Sequence, residues 1–92
     1  MYLEIVSPEA TLFAGEVTAV TVPGIDGEFQ MLNNHAPIVS LLQEGKVRIK
    51  GNIVLEEAYE SKFSKAPNGD TILAISSGTV EMKNNKAIVL AD

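Results

Sequence analysis

The sequence predicts an all-β domain, a flattened β-sandwich or barrel of about ten short strands. Three observations carry this. Short runs rich in apolar and β-branched residues recur along all 92 residues. Glycine, asparagine and aspartate turn signals fall between the runs. No segment of helical length repeats apolar residues at i, i+3, i+4 and i+7. Closing short strands on one another also removes most free sheet edges.

In chain order the first runs are Leu3 to Val6 and Glu16 to Val22. Pro23-Gly24 and Asp26-Gly27 then mark a turn before Glu28 to Leu32, and Ile38 to Leu42 follows. After Glu44-Gly45, the segment Lys46-Val47-Arg48-Ile49-Lys50 alternates with Val47 and Ile49 on one face, the pattern of a strand with one wet side. Ile53 to Phe63 reads as a more polar strand, and Ser61 to Asp70 as a long exposed loop carrying the Asn68-Gly69 turn signal. Ile72 to Ile75 is apolar on both faces and suits a covered position. Past Ser77-Gly78, Thr79 to Lys83 alternates with Val80 and Met82 inward. Asn84-Asn85 turns the chain into Ala87 to Ala91, again apolar on both faces and again expected to be covered.

Composition limits the functional classes. A hydrophobic fraction of 46% with 21% charged residues fits one soluble globular domain over residues 1–92 with a single core. The apolar runs are far shorter than the roughly 20 residues needed to cross a bilayer, so no direct membrane insertion is expected. The start, Met1-Tyr2-Leu3-Glu4, has neither the basic and apolar stretches of a signal peptide nor the arginines of an organellar presequence. With no cysteine there are no disulfides, thiolate metal sites or thiol nucleophiles. The net charge of −5 is unevenly spread: Glu4, Glu9, Glu16, Asp26, Glu28 and Glu44 precede the first basic residue, Lys46. A surface built from that half would repel nucleic acid and anionic lipid and favour a basic protein partner.

The stretch VPGIDGEFQMLNNHAP, Val22 to Pro37, gathers the residue types that chemistry uses. Asp26, Glu28 and His35 are possible metal ligands, but the chain has no second histidine, and a metal-binding histidine usually arrives with another His or a Cys at short spacing. Asp26 and Glu28, two apart on an extended chain, could divide acid and base roles. That task needs an apolar setting, which a glycine turn does not give. Ser40 lies five residues beyond His35 without a nucleophile-elbow pattern, and Gly24-Ile25-Asp26-Gly27 lacks the Lys and Ser/Thr of a phosphate loop. The aromatic residues Tyr2, Phe13, Phe29, Tyr59 and Phe63 are not interleaved with a basic stripe, which argues against nucleic-acid binding. No catalytic, cofactor or metal site is expected. From the residues alone the chain reads as a β module that binds protein through a shaped loop, which a free-standing adaptor would also satisfy.

The motifs are more specific than the chemistry. Val22-Pro23-Gly24, Gly27-Glu28-Phe29, Leu32 through His35-Ala36-Pro37-Ile38, and Gly45-Lys46-Val47-Arg48-Ile49 resemble the N-terminal domain of the F-type ATP synthase epsilon subunit. That family's pattern runs approximately V-x-G-x-x-G-x-x-G-I-L-P-x-H-A-P, followed by G-x-V-R-I. Leu3 to Ser7, Phe13 to Val17, Ser76 to Glu81 and Ala87 to Asp92 look like its opening and closing strands. The resemblance implies a flattened sandwich of about ten strands and a non-catalytic rotor subunit. Such a subunit binds the gamma subunit, sits on the polar loops of the c-ring and couples rotation driven by protons or sodium ions to ATP synthesis. Carried over by position, Asp26, Gly27 and Glu28 would face the c-ring, and His35, Ala36 and Pro37 would lie at or near gamma. A place on the cytoplasmic side of the bacterial inner membrane follows, peripheral and held through the c-ring. The sequence departs from the pattern with Gln30 for a common Gly, Asn33 for a common Pro, and a longer segment at 56–70. It also stops at Asp92, where many members continue into a two-helix hairpin able to inhibit ATP hydrolysis, so coupling without hairpin inhibition is the expectation.

Overall fold

A computed structural model describes residues 1–92 and contains ten strands and one 3₁₀ turn. The strands are β1 (Tyr2–Val6), β2 (Thr11–Glu16), β3 (Ala19–Gly24), β4 (Gly27–Leu32), β5 (Ile38–Leu42), β6 (Gly45–Lys50), β7 (Phe63–Lys65), β8 (Thr71–Ile75), β9 (Gly78–Lys83) and β10 (Lys86–Ala91). They hydrogen-bond in the order β2-β1-β10-β9-β5-β3-β6-β8-β7, with β4 added to the side of β3. Every pairing is antiparallel except β1 with β10. β5 and β3 share a single residue pair, Leu42 with Gly24. The sheet folds at that joint into two halves, β2-β1-β10-β9-β5 and β4-β3-β6-β8-β7.

The halves close over one core of 19 buried residues. Leu3, Ile5, Val80, Met82 and Val89 enter from the first half, and Val20, Val22, Met31, Val47 and Ile49 from the second. Each sits at every second position of its strand, as the pleat requires, so the alternations at Lys46 to Lys50 and Thr79 to Lys83 are borne out. Burying each such side chain contributes about 1.5–3 kcal/mol, an upper figure because a compact unfolded chain already hides part of it. The hairpin from β9 to β10 turns on Asn84 and Asn85 at φ 53° and 59°. Two adjacent left-handed residues make a type I′ turn, whose twist matches the strands it joins.

Four readings are corrected. Glu16 to Val22 is not one strand. β2 belongs to the first half and β3 to the second, and the chain crosses between them at Val17-Thr18, where the Val17 N–H bonds the Met1 carbonyl and the Thr18 N–H bonds the Lys50 carbonyl, each at 2.8 Å. Ile53 to Phe63 is not a strand either. Its alternation is real, with Ile53 and Leu55 half-buried and Val54 exposed, but no strand lies alongside to pair with it. The Tyr59 and Glu60 N–H groups instead turn back to the Glu56 carbonyl, both at 2.9 Å, ahead of the 3₁₀ turn Glu60–Lys62. Ile53, Leu55, Tyr59 and Phe63 pack this strap against the core.

The long loop at Ser61 to Asp70 is shorter than expected, because Phe63–Lys65 pairs with β8 and only Ala66 to Asp70 turns. There the Asn68 Oδ1 accepts from the Asp70 N–H at 3.0 Å, and Gly69 takes φ +93°, which favours glycine. The outer face of β10 departs from expectation too. Ala87, Val89 and Ala91 are buried, but Leu90 is 51% exposed.

Candidate functional site

The motif residues from Val22 to Pro37 occupy two opposite ends of the sandwich. β3 runs to Gly24, the chain turns at Ile25-Asp26, and β4 returns from Gly27 to Leu32 before the loop that carries His35. Six strand residues at about 3.3 Å each put His35 roughly 20 Å from Asp26. Proximity in sequence therefore does not bring Asp26, Glu28 and His35 together, and no group of three His, Asp or Glu side chains is placed to hold a metal.

The Asp26 end is built by close packing. A Cβ on Gly24 would lie 2.7 Å from the Gly27 carbonyl oxygen and 2.8 Å from the Phe29 ring. One on Gly45 would lie 2.7 Å from Pro23. Both motif glycines are therefore fixed by contact, whereas Gly27 supplies the turn's unusual dihedral, φ +128°. The turn is also tied to β5: the Ile25 N–H donates to the Leu41 carbonyl at 3.1 Å, the Gln43 N–H to the Pro23 carbonyl at 2.9 Å, and the Gln43 Nε2 to the Gly24 carbonyl at 3.1 Å. Sequence reasoning missed Gln43, and nothing local announces a bond made across the joint of the two halves.

Charge collects at the same end. The β1–β2, β3–β4 and β5–β6 connections and the last residue bring Glu9, Asp26, Glu44 and Asp92 there, with Glu28 at the start of β4. The two lysines at this end, Lys46 at the start of β6 and Lys62 beside Glu9 and Asp92, offset only part of that charge. Asp26 is exposed. Glu28 is not free: its Oε2 lies 3.8 Å from the Arg48 Nε, across β3, which joins the two motif segments in one exposed ion pair worth no more than about 1 kcal/mol.

At the other end, Leu32 to His35 forms a turn closed by the His35 N–H on the Leu32 carbonyl at 3.1 Å, with Asn34 left-handed at φ 61°. The Asn34 N–H donates to the Asn85 Oδ1 and the Met1 amino group to the Asn33 Oδ1, each at 2.8 Å. Asn33 thus has a definite task in place of the common Pro: its side chain holds the strand start. Gln30 pairs with Thr21 and faces solvent, and nothing in the structure explains its choice. The half-buried His35 ring has Nδ1 2.7 Å from the Ala36 carbonyl, so that nitrogen carries the proton and Nε2 is left for a partner. Ala36 and Pro37 are exposed and lead straight into β5.

β5 connects the two ends and shows an apolar face. Direct pairing aligns Val6, Leu90, Thr79 and Leu41 in one cross-strand row on the outside of the first half. Leu41 is 59% exposed, and Val39, one row further, 73%. With Ile25 and Pro8, the row lines an open groove of about 620 Å³ that has no cationic side chain among its walls.

The family model for the ATP synthase delta/epsilon chain β-sandwich domain matches residues 1–92. The chain belongs to that family. An ATP synthase epsilon chain from Chlorobium limicola is 39% identical over 90 residues, 98% of this chain and 86% of the relative. One from Desulforamulus reducens is 38% identical over the same length but is matched over only 57% of its own. Among solved structures, a chain in the central stalk and c-ring of the Tetrahymena thermophila mitochondrial ATP synthase superposes with a TM-score of 0.70 at 14% identity, over 98% of this chain and 61% of that one. At that identity the likeness is one of fold. In this epsilon-family sandwich the V-P-G, H-A-P and G-x-V-R-I motifs therefore have distinct physical tasks: a packed turn, an exposed corner and a strand that meets the turn side through Gly45 on Pro23 and Arg48 on Glu28.

Proposed function

We propose that this chain is a non-catalytic rotor subunit of a proton- or sodium-translocating F-type ATP synthase, linking the gamma subunit to the c-ring so that ring rotation drives ATP synthesis. The observation that carries the reading is the placement of the family's two contact motifs at opposite ends of one stiff sandwich, as a link between two partners requires. Asp26, Gly27 and Glu28 form the acidic end that meets the polar loops of the c-ring. Basic groups on those loops would orient against Asp26 and its neighbours, steering more than holding.

His35, Ala36 and Pro37 contact gamma, and the exposed side chains of β5, Val39 and then Leu41, extend that contact along the strand toward the acidic end. Apolar area rather than charge then supplies most of the affinity. No helix is long and apolar enough to cross a membrane. The reading holds the chain to the cytoplasmic side of a bacterial inner membrane only through the ring. Co-expression with gamma and the c-ring tests it: a stable complex containing all three is expected, whereas a free-standing adaptor would elute alone.

A further inference from the structure

The β3–β4 turn is braced by Gln43, and we infer that this residue positions the acidic end for its partner. The inference rests on the ring contact just proposed. β3 and β5 share only the Gly24–Leu42 pair, so the turn could hinge about that joint. Three hydrogen bonds oppose it, and two come from Gln43, through its backbone N–H to the Pro23 carbonyl and its side-chain amide to the Gly24 carbonyl. The third, from the Ile25 N–H to the Leu41 carbonyl, closes the same strip. Gly24 is buried, so the amide's bond to its carbonyl is shielded from competing water.

The brace also spans the two docking regions. Gln43 follows directly on β5, whose first residue follows Pro37, so the strip ties the acidic turn to the strand that starts at the gamma corner. A displacement imposed on Asp26 by a turning ring passes to β5 through these bonds instead of being absorbed by a loose hairpin. Gln43 touches neither partner in this scheme; it acts by holding Gly24 and Ile25.

Three variants separate the roles. Gln43→Met keeps the length and removes the donor; Gln43→Lys restores a donor at similar reach. In the purified chain, amide hydrogen exchange at Ile25 should quicken by roughly three- to tenfold in Gln43→Met and return toward the parent rate in Gln43→Lys, with β9 and β10 amides unchanged. In the assembled rotor, Glu28→Cys should form a disulfide with a cysteine placed on a c-ring loop. Adding Gln43→Met should cut that yield severalfold and spread it to neighbouring loop positions, and Gln43→Lys should recover it. Equal yields in both backgrounds, or exchange unchanged at Ile25, would overturn the brace while leaving the ring contact intact. No product in any background would overturn the ring contact and with it this role.

Discussion

Gly24→Ala is the sharpest test of how the acidic end is built. The added methyl would sit 2.7 Å from a backbone oxygen, that of Gly27, and 2.8 Å from the Phe29 ring. The ring can swing, but the oxygen belongs to a turn closed by the Gly24–Gly27 pairing and cannot retreat without opening β3 from β4. Overpacking of this kind costs about 1–3 kcal/mol. Reduced freedom of the unfolded chain returns about 0.4–1 kcal/mol. At the midpoints the net loss is about 1.3 kcal/mol, which should lower the melting temperature by roughly 5–10 °C in a domain of this size. Thermal unfolding followed by circular dichroism reads the value. Gly15→Ala is the comparison, since its methyl would meet only the tip of the Phe13 ring at 3.2 Å. A Gly24→Ala midpoint within about 2 °C of the parent would refute the packing argument, as would an equal loss in Gly15→Ala.

Other perturbations test other links. Met31→Ala empties a fully buried position where β4 meets the core and should cost about 2–5 kcal/mol by urea unfolding, a smaller loss meaning that the halves close over it. Asn84→Ala places alanine at φ 53° and should cost about 1–2 kcal/mol by the same assay, with no cost if the turn changes type. Leu41→Asp changes an exposed side chain, so the melting temperature should stay near the parent value while affinity for gamma, measured by calorimetry, falls by roughly 30-fold or more, as for a central interface residue; unchanged affinity would place gamma elsewhere.

The parts of the fold legible in the sequence were those with a local cause. Lys46 to Lys50 and Thr79 to Lys83 could be read because period two and a one-sided core are written in the same residues, and Asn84-Asn85 because few other residues take adjacent positive φ. Ile53 to Leu55 alternates just as well and is no strand, since alternation says which side faces the core and not whether a neighbour is present to pair. Leu90 misleads in the opposite way: its apolar character signals burial, but no element of this chain covers it.

At the candidate site, the resemblance supplied the motif residues and the structure supplied their separation. Asp26 and His35 stand nine residues apart in sequence and a strand's length apart in space. Gln43 was not legible at all, because its partner at Gly24 lies across the joint and no spacing rule connects them.

The central claim is that the acidic turn meets the c-ring, and disulfide trapping tests it most directly. The chain has no cysteine of its own, so Glu28→Cys introduces a single reactive site. Paired with one cysteine on the polar loop of the c subunit in assembled ATP synthase, it should form a product under mild oxidation and leave ring-driven ATP synthesis intact, because both linked parts turn with the rotor. A matching cysteine at Ala36, at the opposite end of the sandwich, should give no ring product. Trapping at Ala36 with none at Glu28 would contradict the account.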